Sequence, residues 1–179
     1  MLKLSHEEVL YRQKVRMTAP RLPFSVVLNN IRSLYNVGSI FRTSDGVGVE
    51  KIWLCGITGH PPDNKIAKTA LGAQEHVPWE YRADILSLLK EMRRGGYQIV
   101  LLEQTHESLS YAKYRPQAPV CLVIGNEIEG ISQDILPYCD QAIEIEMSGV
   151  KNSLNVAVAF GVVSYHFRGC LMELNISWT

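Results

Sequence analysis

Nothing in this sequence is long and apolar enough to cross a bilayer. The longest uncharged apolar stretch, residues 152–167, has 16 positions and includes Asn, Ser and His, whereas a spanning helix needs roughly 20 apolar residues. The amino terminus shows no basic-then-apolar signal pattern, so the expected location is cytoplasmic. Cysteine is scarce. Cys55, Cys121, Cys139 and Cys170 are the four, and no pair has the short separation of a zinc knuckle or a dithiol redox motif. Disulfides and a metal are therefore not expected, in keeping with a reducing compartment. Net charge is absent as well, with 18 basic and 18 acidic side chains, so the overall basic excess of a generic nucleic-acid binder is missing. Low-complexity tracts, repeats and long linkers are lacking, which excludes disordered, collagen-like and coiled-coil chains.

What remains is an ordinary globular composition: 179 residues, 46% hydrophobic and 20% charged. A chain of that size buries roughly 70% of its unfolded surface, enough for one core. The charge is unevenly spread. Residues 1–42 carry seven Lys or Arg against two Glu, and residues 43–179 carry eleven basic against sixteen acidic side chains. Arg12, Lys14, Arg16 and Arg21 in the first segment fit either a phosphate-contacting patch or a solvated helix face.

Ser5 and Glu8 have the spacing of a capping box, which predicts a helix over 6–16 ending before Pro20 and Pro23. A β-branched run at 24–29 then leads through a polar loop to Val37, Ile40, Phe41 and Val47 at helical spacing. Strands are predicted at 51–55, 97–102, 120–124 and 142–145, with an amphipathic helix at 83–94 and helical patterns after the last two strands. This alternation implies an α/β domain, a mostly parallel sheet with helices on both faces, preceded by a short helical N-terminal extension. The extension is read as 1–23 and the domain as 24–179.

Ligands of open parallel sheets bind beyond the carboxyl ends of the strands, so the polar loops there are the place to look. The first runs from Asn29 to a helix bearing Asn36, Gly38 and Arg42. Arg42 follows Gly38 by four positions, which is expected to free its guanidinium to reach the strand ends, although pairing with Asp45 is the alternative. Asn36 also suits a plain helix cap. The second loop is Gly-Asn-Glu-x-x-Gly-x-Ser at 125–132, where Gly125 allows a ligand near the backbone. It matches neither the dinucleotide fingerprint nor a phosphate-binding loop, which counts against NAD and ATP and leaves a Rossmann-like oxidoreductase only as a secondary alternative. Its two Glu are open to a cation, a ribose or solvent. The third, 143–155, ends in Ser153, Leu154 and Asn155 before a helix apolar on nearly every face. The plain alternative there is Ser153 as the helix cap and Asn155 satisfying loop carbonyls.

Together, Asn-x-Gly-x-x-x-Arg at 36–42, Gly-Asn-Glu-x-x-Gly-x-Ser at 125–132 and Ser-Leu-Asn-Val at 153–156 resemble the three motifs of the SpoU, or TrmH-like, branch of the SPOUT RNA 2′-O-ribose methyltransferases. The resemblance covers about 24–167, with one departure: Glu146 stands where the family commonly has Pro. It implies an α/β fold with a C-terminal trefoil knot, S-adenosylmethionine as cofactor, no metal, and methyl transfer to a ribose hydroxyl of tRNA or rRNA. A catalytically silent RNA-binding module on the same fold is the alternative. The resemblance assigns Asn36, Arg42, Glu127, Ser153 and Asn155 to catalysis, and Leu102, Gly125, Ile145, Met147 and Leu154 to the cofactor. Arg32 joins Arg12, Lys14, Arg16 and Arg21 as RNA contacts, with no DNA partner expected. An arginine side chain is normally a cation that cannot accept a proton, so Arg42 is expected to stabilise charge on the nucleophile, with general-base action by a deprotonated Arg42 as the less favoured alternative. A helix apolar all round needs cover, which with the resemblance predicts a homodimer whose sites combine Arg42 of one subunit with Asn155 of the other.

Overall fold

The computed structural model describes residues 2–126 and 130–173. Helix α1 (His6–Met17) begins with the expected capping box: Glu8 N–H donates to Ser5 Oγ (3.2 Å) and Ser5 N–H to Glu8 Oε2 (2.7 Å). None of its residues is buried. The strands are β1 (Leu22–Asn29), β2 (Val49–Cys55), β3 (Trp79–Arg82), β4 (Gln98–Leu102), β5 (Leu109–Ser110), β6 (Val120–Ile124) and β7 (Gln141–Glu144). They form one sheet in the order β3-β2-β1-β6-β4-β7-β5, and every strand pairing in it is parallel.

Parallel strands buried on both faces send alternate side chains to opposite sides. Phe24, Val26 and Leu28 of β1, with Val120, Leu122 and Ile124 of β6, meet one core, shared with α2 (Leu34–Val47), α3 (Asn64–Ala70), α4 (Ala73–His76) and α6 (Val156–Glu173). Val27, Cys121, Val123, Ile99 and Leu101 meet the other, closed by α5 (Ile85–Arg94), whose Leu88, Leu89 and Met92 face inward, and by Ile131 and Ile135. Helices therefore lie on both faces.

One expectation needs correction. Between β6 and β7 the helical structure among the described residues is a short 3-10 turn at Leu136–Tyr138, with Pro137 in its body, where a longer helical pattern was expected. Helix α6, expected to be covered inside the fold or by a second subunit, is covered within this chain on one side only. Phe160, Val163, Phe167 and Leu171 enter the core, but Val158, Tyr165 and Met172 remain more than half exposed and recur every seven residues along one line. Among the described residues no helix is long and apolar enough to cross a membrane.

Candidate active site at the carboxyl ends of the strands

The chain leaves β1 through Asn30 in the left-handed region (φ 59°), a conformation asparagine tolerates. Asn30 Oδ1 accepts from Ile57 N–H (3.1 Å), and its carbonyl accepts from Asn126 Nδ2 (3.0 Å). Ile31 N–H donates to Thr58 Oγ1 (3.0 Å), which donates on to the Leu28 carbonyl (3.0 Å). The first loop is thus clamped between the loops after β2 and β6. Ser33, and not Asn36, caps α2: its Oγ accepts from Asn36 N–H (3.3 Å). The Asn36 side chain is left to turn outward. Its Oδ1 accepts from Asn155 Nδ2 (3.2 Å), joining residues 119 positions apart.

Arg42 lies six residues further along α2, about 9 Å down the axis and about 120° around it from Asn36. It is exposed and makes no hydrogen bond or ion pair among the described residues, so the pairing with Asp45 does not form. Gly38 serves another purpose than clearing room for Arg42. A Cβ there would collide with Thr69 and the Ile66 carbonyl, so glycine lets α3 pack directly on α2.

Gly125 follows β6, but the space beside it is filled by the loop itself: a Cβ would meet the Ile131 side chain at 2.7 Å and the Gly130 carbonyl at 2.8 Å. Gly130 N–H donates to the Asn126 carbonyl (3.0 Å) and Ile131 N–H to Glu103 Oε2 (3.2 Å), folding the loop back toward β4. Glu127 lies outside the described residues. Ser132 Oγ hydrogen-bonds Asp134.

Strand register gathers the expected cofactor residues. Leu102 is paired with both Ile124 and Ile143, so Leu102, Gly125 and Ile145 come off three adjacent strand ends. Met147 and Leu154 are half-buried in the loop that follows. Gln104, which the sequence did not single out, ties that loop down by donating from Nε2 to the Asn152 carbonyl (2.7 Å). Glu103 does the same for the second loop. The only sequence signal for either was its place just past a strand end. Glu146 Oε2 accepts from Ser110 Oγ (2.8 Å), anchoring to β5 a turn that the family's Pro would stiffen.

Of the two polar residues before α6, Asn155 is the cap. Its Oδ1 accepts from Ala157 N–H (3.0 Å) and Val158 N–H (3.4 Å) while Nδ2 reaches Asn36. Ser153 is exposed, its Oγ 3.5 Å from Asn152 Oδ1, with no capping bond. Arg12, Lys14 and Arg16 are exposed on α1, and Arg32 is exposed in the first loop. Arg21 is committed to the main chain, donating to the Val49 (3.1 Å) and His76 (2.8 Å) carbonyls. Burial pushes the Cys55 thiol up to about 12 and that of Cys139 up to about 11, which disfavours the thiolate form. Among the described residues no cluster of His, Cys, Asp or Glu could hold a metal ion.

The SpoU rRNA methylase family matches residues 23–165. The tRNA (guanosine(18)-2′-O)-methyltransferase of Aquifex aeolicus is 32% identical over 144 residues, 78% of this chain and 66% of that protein. The TrmH-family protein YacO of Bacillus subtilis is 31% identical over 143 residues, covering 80% of this chain and 57% of its own length. The chain thus spans less than two thirds of these relatives. Among solved structures, the A. aeolicus TrmH/SpoU tRNA-modifying enzyme superposes with a TM-score of 0.82 at 29% identity, covering 94% of this chain and 85% of that one. The AdoMet-bound rRNA methyltransferase of Sinorhizobium meliloti does so with a TM-score of 0.77 at 27% identity, covering 87% and 59%.

Proposed function

The chain belongs to the SpoU rRNA methylase family, and from that premise we propose that it transfers the methyl group of S-adenosylmethionine to a ribose 2′-hydroxyl of tRNA or rRNA. The observation that carries this reading is the Asn155–Asn36 hydrogen bond (3.2 Å), which brings the third motif onto the first beside the β4, β6 and β7 ends. The lining there fits the cofactor. Leu102, Ile145, Met147 and Leu154 offer half-buried apolar flanks, and segments 102–105, 125–126, 130–132 and 145–150 hold no Lys or Arg to repel a sulfonium. The cofactor, when bound, supplies an already activated methyl group, so the protein's task is orientation and charge stabilisation. Asn155 and Ser153 present donors toward the nucleophile. Arg42 holds the hydroxyl or its adjacent phosphate and stabilises negative charge as it develops, while the hydroxyl proton passes to solvent and S-adenosylhomocysteine leaves. Glu127 is assigned to orienting Arg42 or its loop.

The same reading includes the C-terminal knot. It is supported by β6 lying between β1 and β4 and by the return of the chain end to pack α6 on α2. It includes a homodimer, supported by the exposed line of Val158, Tyr165 and Met172 on α6 with Tyr35 exposed on α2. The position of Arg42, away from Asn155 of its own chain, favours a site completed by the partner. The division at residue 23 is supported by the start of the family match and by the full exposure of α1. Four free cysteines accord with a cytoplasmic setting.

Labelled S-adenosylmethionine incubated with total tRNA and with rRNA, followed by nuclease mapping, tests the activity. Label in a ribose 2′-O-methyl nucleotide is expected. Cofactor and RNA binding without transfer would instead select the silent RNA-binding module. Replacing Arg12, Lys14 and Arg16 by Gln is expected to weaken RNA binding and flatten its salt dependence, nearly one unit of slope per lost phosphate contact. An unchanged slope would make α1 a packing element.

A further inference from the structure

The loop after β2 has no role in this reading beyond bracing the first motif, yet its His60 lies against Trp79 and Tyr81 of β3. We propose that His60 and Tyr81, backed by Trp79, form a stacking step for an unpaired nucleobase of the RNA, next to the start of α2. The inference rests on RNA being the substrate.

Trp79 and Tyr81 are two residues apart on the edge strand β3 and so share one of its faces. The His60 ring lies nearly parallel to Trp79 (centroids 5.9 Å, interplanar 19°) and tilted against Tyr81 (5.4 Å, 51°). Both His60 and Tyr81 are exposed. Their orientations are fixed through their polar atoms. Tyr81 Oη donates to the Gly56 carbonyl (2.8 Å), and His60 Nδ1 donates to the Pro61 carbonyl (2.9 Å). Aromatic rings held this way lose little freedom when a base stacks on them.

Position and charge agree with an RNA partner. The Ile57 and Thr58 hydrogen bonds fasten this loop to the first motif, and Gly59 packs against Leu34, two residues before Asn36. Lys65 and Lys68 stand exposed on α3, the helix that the loop leads into. Asp63, the one acid in residues 56–70, is occupied as the α3 cap, accepting from Lys65 N–H (2.7 Å) and Ile66 N–H (3.2 Å). On β3 itself, Glu80 is paired with Lys51 (2.7 Å) and Arg82 (2.6 Å). Cations for phosphates therefore flank aromatic faces for bases, the combination that single-stranded RNA recognition uses.

The test compares a fluorescent short oligoadenylate with an abasic oligomer of the same length at fixed salt. The wild-type protein should bind the oligoadenylate more tightly. His60→Ala and Tyr81→Ala should each lower that affinity roughly 5- to 100-fold while leaving the abasic oligomer and S-adenosylhomocysteine binding unchanged. His60→Trp should restore the oligoadenylate affinity, an outcome that damaged folding would not give. Equal binding of the two oligomers by wild type, or unchanged oligoadenylate binding in both alanine variants, overturns the stacking step. Failure of methyl transfer in the wild-type protein is a separate readout, and it would sink the enzymatic reading instead.

Discussion

The two ends of the parallel sheet use polar side chains in different ways. At the amino ends of the strands, side chains close off main-chain groups. Arg168 donates to the Val47 carbonyl (2.6 Å), Arg21 to those of Val49 and His76, and Ile99 N–H donates to Asp140 Oδ2 (2.7 Å). At the carboxyl ends, side chains bind loops to one another, as Asn30 does with Ile57, Gln104 with Asn152 and Asn155 with Asn36. Others, Ser153 among them, stand exposed with no capping or bridging task. A buried carbonyl left without its donor costs stability, whereas an exposed side chain with no structural partner costs little to lose. Stability and activity should therefore separate along the strand direction.

The largest effect is expected at Arg42. Arg42→Ala should lower methyl transfer at least roughly 100-fold with an unchanged melting temperature and cofactor affinity, since among the described residues the side chain makes no hydrogen bond or ion pair. Retained turnover would remove Arg42 from the reaction. Mixing inactive Arg42→Ala and Asn155→Ala homodimers under subunit exchange locates the site. Random pairing makes half the dimers mixed, each with one intact site, so about a quarter of wild-type activity should return if the site is shared. No recovery would place both residues in one chain's site.

Asn155 blurs the comparison, because one amide both caps α6 and reaches Asn36. Asn155→Ala should lose about 1 kcal/mol of stability together with activity. Asn155→Asp keeps the capping oxygen and removes the Nδ2 donor, so it should hold its melting temperature and still lose turnover. Equal activity of Asn155→Asp and wild type would reduce this residue to a cap.

How much of this was legible in the sequence depended on length and pattern. The continuous apolar runs of β1, β4 and β6 and the Ser5–Glu8 box could be read directly, because burial on both faces and helix capping impose their own spacing. Segments α3, α4 and β3 escaped. The two helices have seven and four residues and are parted by Leu71 and Gly72 at positive φ, and the strand is a polar Trp-Glu-Tyr-Arg at the sheet edge. Periodicity needs more turns than these supply. The three site loops were recognised as motifs, but not which residue in each caps a helix: Ser33 took the place expected of Asn36, and Asn155 that of Ser153. Nor could the pattern give Gly38 its contact with α3, a helix it did not contain.

At the amino ends, Arg168→Met tests the opposite half of the comparison. The variant keeps an apolar stem against α2 but leaves the Val47 carbonyl without its charged donor, so a loss of about 1.5–3 kcal/mol is expected in chemical denaturation. kcat and KM for RNA should stay at wild-type values. A fall in turnover without a fall in stability would mean that the two ends are not separable.

The smallest effect is confined to alkaline solution. Burial, and then the hydrogen bond from its hydroxyl to Glu50 (2.6 Å), push Tyr97 from 10 up to about 12, and burial pushes Cys55 from 9 up to about 12. In both, the protonated form is favoured by folding. The stability each contributes is complete below its unfolded value and falls as pH rises through its folded one, because the unfolded chain ionises first. Stability should therefore be insensitive to these groups at neutral pH and decline between about pH 9 and pH 12. Cys55→Ala should make the decline shallower from its lower end and Tyr97→Phe from about pH 10 upward, with the rate of methyl transfer below pH 9 unaltered by the first. Tyr97→Phe also leaves Glu50 with the longer hydrogen bond from Ser25 Oγ, at 3.2 Å, so a pH-independent loss should accompany it and its slope, not its midpoint, is the informative quantity. Denaturant titrations across the alkaline range decide the matter: a Cys55→Ala curve parallel to wild type would show that this thiol titrates alike in the folded and unfolded chain.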